Sequence, residues 1–260
     1  MKESFQTKKF AVENDSGKLS YLQKGTGKEA LVTLHGFGQN GIAFQSFDIF
    51  WSSFTLYHFD LPLHGESKWK SLIVDKKDIQ QLFEQFLDNN RINRFSVAAF
   101  SLGARVVFTL LEVFPERLDR IILIAPDGIN VNIWYRLVTL YSPFRRLFKS
   151  MVINPRIYFY VFEVLKNLGI INKSTLKFVK VHMSTPEKRD KVYLVWSSYK
   201  NINTKRDVIT ALLNEHDIKV TLCLGTYDRV VPPNKFRAFA KSLHNCSFCQ
   251  LETGHNHLLK

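Results

Sequence analysis

The chain has 260 residues, 45% of them hydrophobic and 23% charged, which is enough apolar chain to bury one sizeable core and excludes a disordered, fibrous or disulfide-dense protein. The formal net charge of +13 admits three kinds of anionic partner: nucleic acid, an anionic membrane surface or an acidic protein. The opening MKESFQTKKF has no signal-peptide apolar stretch, and no uncharged apolar run approaches the length of about 18 residues needed for a membrane span. A cytoplasmic protein is therefore expected, with Cys223, Cys246 and Cys249 as reduced thiols.

In chain order, residues 10–13 and 19–23 flank a polar stretch and predict an opening β-hairpin. Residues 30–34 (ALVTL) form a continuous apolar run that ends in His35-Gly36. Similar runs span 54–59, 95–99, 121–125, 220–224 and 248–251. Short continuous runs of this kind read as buried parallel strands. Between them, residues 76–89 carry Ile79, Leu82, Phe83, Phe86 and Leu87 as a helical stripe, and residues 102–114 have a similar pattern. The alternation predicts an α/β fold, a mostly parallel sheet flanked by helices. From about 127 to 205 the pattern changes to helical pieces punctuated by Pro143, Pro155 and Pro186, without a convincing strand. This stretch reads as a helical insertion. Cys246 and Cys249 form a lone C-x-x-C inside a strand-like run, and read as two small strand residues rather than metal ligands.

In an open parallel sheet, reactive groups lie just beyond the carboxyl ends of the strands. Four polar clusters of this chain fall there. Ala99-Phe100-Ser101-Leu102-Gly103 follows one strand and opens a helix, the setting of a nucleophile elbow with Ala99 in the place of the usual first glycine. Taken alone, the segment also fits a serine capping an ordinary helix. His35-Gly36-Phe37-Gly38 follows another strand. Its backbone can approach a substrate closely, and the N–H groups of Phe37 and Leu102 are the candidate donors to an oxyanion. Gly225-Thr226-Tyr227-Asp228 offers an acid and Gly254-His255 offers a base. In such a set His255 takes the proton of Ser101, and Asp228 orients the imidazole and stabilises its charged form. Asp127 is a rival acid after the strand at 121–125, and His257 is a rival base.

The order Ser101, Asp228, His255, together with the two glycine loops, resembles the α/β-hydrolases, in particular the capped, lipase/esterase-like superfamily with a serine nucleophile. Asp60-Leu61-Pro62-Leu63-His64-Gly65-Glu66-Ser67 is similar to that family's D-x-P-G-x-G-x-S loop, with Leu63 in place of the first glycine. The resemblance covers residues 20–126 and 206–260. It implies a core made of 1–126 and 206–260, with residues 127–205 as a cap. It also implies an acyl-serine intermediate that needs no cofactor and no metal. His35, Gly36, Phe100 and Trp134 are the expected substrate contacts. Only five residues follow His255, where family members carry a further helix.

Residues 127–205 hold 14 Lys and Arg against 4 Asp and Glu, a net +10, so the charge asymmetry belongs to the insertion. The segment is also aromatic, with Trp134, Tyr135, Tyr141, Phe144, Phe148 and Phe159 among others. Besides a small acyl substrate, the expected partner is an acidic acyl carrier or an anionic lipid surface. Nucleic acid is not expected, because no nucleic-acid motif accompanies the charge. The basic face also reads as plain solvation. The expected activity is cleavage of a carboxylic ester or thioester. The alternatives are C–C bond hydrolysis or a lyase step on the same residues, or a hydrolase scaffold that binds without turnover.

Overall fold

The computed structural model describes residues 7–130, 135, 141–167, 169 and 183–260. Among these residues there are nine strands: β1 (Lys8–Glu13), β2 (Gly17–Lys24), β3 (Glu29–Leu34), β4 (Phe54–Phe59), β5 (Lys68–Trp69), β6 (Phe95–Phe100), β7 (Leu118–Ile124), β8 (Lys219–Gly225) and β9 (Cys246–Leu251). They form one sheet in the order β1-β2-β4-β3-β6-β7-β8-β9, with β5 paired to β2. Strands β1 and β2 pair antiparallel, as do β2 and β4. Strand β5 also pairs with β2 antiparallel, and every pairing along the order β4-β3-β6-β7-β8-β9 is parallel. The opening hairpin turns on Asn14, whose side-chain oxygen accepts from the backbone N–H groups of Ser16 and Gly17 at 3.0 Å each.

The helices are α1 (Lys76–Asn89), α2 (Gly103–Val113), α3 (Ser142–Ile153), α4 (Pro155–Asn167), α5 (Pro186–Ser198), α6 (Arg206–Glu215) and α7 (Arg237–Lys241). Contacts between Cα atoms divide the chain into one unit of 1–130 with 202–260 and a second of 131–201.

In the first unit, α1 starts at Asp75, whose carboxylate accepts from the N–H of Lys77 at 3.0 Å and so satisfies a free helix-end donor. Ile79, Leu82, Phe83, Phe86 and Leu87, the stripe read from the sequence, are all buried. Phe83 stacks on Phe59, and Phe86 meets Tyr21, Tyr57 and Phe59 edge-on at ring centroid distances of 4.9–5.1 Å. Edge-on contacts of this kind add to the energy of burial alone. Helix α2 is buried along almost its whole length, from Gly103 to Leu111.

Beneath the carboxyl ends of β3 and β4 lies a buried polar chain. Thr33 Oγ1 is 2.8 Å from His58 Nδ1, His58 Nε2 is 3.2 Å from Asp48 Oδ1, and Lys24 donates to Asp48 Oδ2 at 2.7 Å. Burial pushes the Asp48 carboxyl up, but His58 and Lys24 outweigh it and hold the group below its ordinary value.

The loop from Asp60 to Ser67 is tied closed by its own backbone and two side chains. Asp60 accepts from the N–H of Gly41 and of Glu66 at 2.7 Å each, and Ser67 Oγ donates to the carbonyl of Asp60 at 2.7 Å. Leu63 stands in this loop at φ 66°, in the left-handed region. A side chain there costs about 1–2 kcal/mol. Leu63→Gly is therefore expected to stabilise the fold by about 1 kcal/mol, read as a rise in the urea midpoint at constant slope. An unchanged or lower midpoint contradicts this.

In the second unit the described residues form α3, α4 and α5, and no strand is found among them. All three prolines stand at helix starts, where the missing N–H costs nothing. Phe148 on α3 packs against Tyr193 and Trp196 of α5 at 5.5 and 5.9 Å. The buried Arg189 of α5 donates to the carbonyls of Val152 and Met183. Tyr135 donates to the carbonyl of Trp196 at 3.2 Å.

Candidate active site

Strand register sets the site. Leu34 pairs with Phe59 and with Ala99, Phe100 with Ile124, Ile124 with Cys223, and Gly225 with Leu251. The strands therefore end together, and the loops that follow them gather along one edge of the sheet.

Ser101 leaves β6 at φ 48°, an unusual conformation for a residue with a side chain. Ala125, at the end of the neighbouring β7, also has positive φ, at 42°. The backbone over-determines this strain. The N–H of Ser101 donates to Ile124 at 3.0 Å, and its carbonyl accepts from Ala104 at 3.1 Å and from Asp127 at 3.0 Å. Such clusters of strain occur where a turn must present a side chain. Gly103 is required by close approach: a Cβ there would lie 2.3 Å from the carbonyl oxygen of Leu34. Ala99 is fully buried, so the small residue that stands where a glycine is usual sits inside the sheet.

Ser101 Oγ lies 3.2 Å from His255 Nε2, and His255 Nδ1 lies 2.7 Å from Asp228 Oδ2. The other oxygen of Asp228 accepts from the N–H groups of Val230 and Val231 at 2.8 Å each. Both carboxylate oxygens are thus committed, and the Asp228 side chain is fully buried. The oxygen at 2.7 Å makes Nδ1 of His255 the donor in that contact and leaves Nε2 facing the serine hydroxyl. The acid and base loops are also tied directly, since the N–H groups of Thr226 and Tyr227 donate to the carbonyls of Leu251 and Thr253.

The rival acid is engaged elsewhere. Asp127 Oδ2 accepts from Arg105 Nε at 2.7 Å. Arg105 is 2% exposed, so Asp127 serves as the counter-charge to a buried guanidinium. The rival base His257 is exposed, and its backbone N–H closes a short turn onto Gly254.

The loop after β3 is held from inside. His35 is fully buried; its Nε2 accepts from the N–H of Leu61 at 3.0 Å, so Nδ1 carries the proton and donates to the carbonyl of Gly36 at 2.7 Å. Gln39 clasps the same residue, accepting from the N–H of Gly36 at 2.9 Å while its own N–H donates to the Gly36 carbonyl at 3.3 Å. In a trans peptide the N–H points opposite to the carbonyl. Fixing the Gly36 carbonyl therefore fixes the direction of the Phe37 N–H. Leu102 is the residue that opens α2, where N–H groups lack intrahelical acceptors.

Two of the expected substrate contacts, His35 and Phe100, are buried. His35 is engaged through both ring nitrogens and shapes the loop from within. Phe100 is 4% exposed, with its ring 4.9 Å from that of His255, and it packs over Gly36, where a Cβ would come within 2.7 Å of it. Phe100 thus steadies the imidazole and the loop together. Trp134 lies outside the described residues. The sequence reading missed Gln39, Arg105 and the Val230 and Val231 donors. Only the last pair left a signal, since an aspartate followed by a turn commonly accepts from the backbone two and three residues on.

Cys223 and Cys249 are register partners on β8 and β9, and all three cysteines are free thiols. Burial, with Cys249 beside it, pushes the Cys223 thiol up to about 11. At pH 8, iodoacetamide is expected to alkylate Cys223 about 100-fold more slowly than an unhindered thiol. Alkylation at the unhindered rate would contradict this placement.

The alpha/beta hydrolase fold model matches residues 29–259, and the chain belongs to that family. A thermophilic esterase from Thermogutta terrifontis has a similar structure, with a TM-score of 0.69 at 18% identity over 98% of this chain and 93% of that one. The naproxen esterase of Bacillus subtilis gives a TM-score of 0.63 at 18% identity over 98% of this chain and 87% of that one. A sequence relative is the dihydrolipoyllysine-residue acetyltransferase component of the acetoin cleaving system of Cupriavidus necator. It is 27% identical over 143 residues, which is 53% of this chain and 38% of that protein. The match thus spans well under half of that relative's length.

Proposed function

We propose that this α/β hydrolase is a serine hydrolase that cleaves a carboxylic ester or thioester through an acyl-Ser101 intermediate. The observation that carries this reading is the hydrogen-bonded chain from Asp228 through His255 to Ser101, at 2.7 and 3.2 Å.

Each residue then has a defined task. Ser101 Oγ attacks the acyl carbon as its proton passes to His255 Nε2. The carbonyl oxygen becomes an oxyanion that accepts from the N–H groups of Leu102 and Phe37, as a preorganised donor pair requires. Asp228, already bound by two N–H groups, stabilises the imidazolium without taking its proton. The imidazolium gives its proton to the leaving oxygen or sulfur, and the C–O or C–S bond breaks. Water then repeats the sequence on the acyl-serine ester and releases the acid. The esterase neighbours and the acetyltransferase relative both fit a site that moves an acyl group.

A shared intermediate makes a measurable demand. Phenyl butyrate, p-nitrophenyl butyrate and a butyryl thioester are expected to give one product ratio of methyl butyrate to butyrate when methanol is present. A ratio that changes with the leaving group, or no turnover of any acyl length from acetyl to lauroyl, contradicts the proposal.

A further inference from the structure

Among its described residues, the second unit carries exposed apolar side chains on α3 and α4. Helices α3 and α4 are joined by the single residue Asn154. On α3 the inward face is defined by Phe148 and Val152, both buried, with Phe148 set against α5. Ile153, at the corner of the hairpin, is 72% exposed. On α4, Ile157, Tyr160 and Val164 recur at i, i+3 and i+7, which places them along one stripe, and all three are exposed, Tyr160 by 74%. Phe159 on the same helix is 62% exposed. A stripe with helical spacing is the mark of a face meant for burial.

The charged residues around it have one dominant sign. Arg146, Lys149 and Arg156 are exposed on the same hairpin, and Glu163 is the one acidic side chain within α3 and α4. Exposed isoleucine, phenylalanine and tyrosine interleaved with arginine and lysine suit the boundary between lipid headgroups and acyl chains. There the rings and aliphatic chains enter the apolar layer and the cations stay with phosphates. An acidic protein would use the cations but gives no reason for an apolar stripe and corner between them. Among the described residues no helix is long and apolar enough to cross a membrane, so the mode is attachment in the interface plane.

We infer that the α3–α4 hairpin is a docking surface for an anionic lipid bilayer. This goes beyond the proposed chemistry and does not depend on it, because binding is read without turnover.

The test is co-sedimentation of the full chain with phosphatidylcholine vesicles, with and without about 30% phosphatidylserine, at about 0.05 M salt. The protein is expected to pellet with the anionic vesicles at least ~10-fold more strongly than with the neutral ones. Reversing Arg146, Lys149 and Arg156 to Glu is expected to weaken this by about 100-fold. The pair Ile153→Ser and Tyr160→Ser is expected to weaken it by about tenfold. Both variants should keep the thermal midpoint of the parent, since all five side chains are exposed. Absence of binding to anionic vesicles overturns the inference, as does loss with the charge reversal but not with the serine pair. So does binding to an acidic acyl carrier protein with no binding to the anionic vesicles.

Discussion

Asp228→Asn is expected to lower kcat for a butyrate ester by about 10⁴-fold, with KM nearly unchanged. The amide keeps the shape of the carboxylate but presents an N–H or a neutral oxygen to His255 Nδ1. It favours the wrong tautomer and loses the anion that stabilises the imidazolium. The control is Asp127→Asn. The Asp127 side chain pairs with Arg105, whose side chain is 2% exposed, and lies outside the hydrogen-bonded chain of Asp228, His255 and Ser101. This substitution is expected to cost about 1–3 kcal/mol of stability, discounted because the Asp127 side chain is 32% exposed, while kcat changes less than about tenfold. Steady-state kinetics and urea melts of the two variants separate the roles. If Asp127→Asn is the variant that loses turnover, the acid has been misassigned.

Ser101→Ala carries the second large effect. Removing Oγ takes away the proposed nucleophile while leaving the proposed donors of Leu102 and Phe37 in position, so turnover is expected to fall by about 10⁴-fold or more. The fold should not suffer. Ser101 stands at φ 48°, and alanine has nearly the same difficulty there as serine, so the thermal midpoint should stay close to that of the parent. An active Ser101→Ala protein would remove the serine from the reaction.

The strand ends were the legible part of this sequence. A buried parallel strand must be apolar throughout and must stop where its chain turns, so the runs at 30–34, 54–59 and 95–99 announced both strands and loops. Helix α1 was equally plain, because one amphipathic period fixes its buried face. Strand β7 begins three residues before the apolar run, at Leu118, since Asp119 and Arg120 are exposed at its open start and carry no apolar signal. The 3-10 segment Gly41–Phe50 was not foreseen. Its Ile42, Ile49 and Phe50 are exposed, so its apolar content follows no buried face.

In the site, spacing located the residues but could not orient them. His35 and Phe100 are both buried, and a side-chain direction depends on packing partners far along the chain. What Asp127 contacts likewise depends on Arg105, a partner 22 residues away with no local pattern to announce it. The basic, aromatic character of residues 127–205 was legible in composition. Which of its side chains are exposed follows only from the packing of α3, α4 and α5.

The most direct test of the acyl-serine account is labelling of the folded protein with a fluorophosphonate, followed by mass spectrometry of its peptides. The account predicts one adduct per chain, located on Ser101, formed by the parent and absent from Ser101→Ala. An adduct on another residue, or folded parent protein that takes no label, would contradict it.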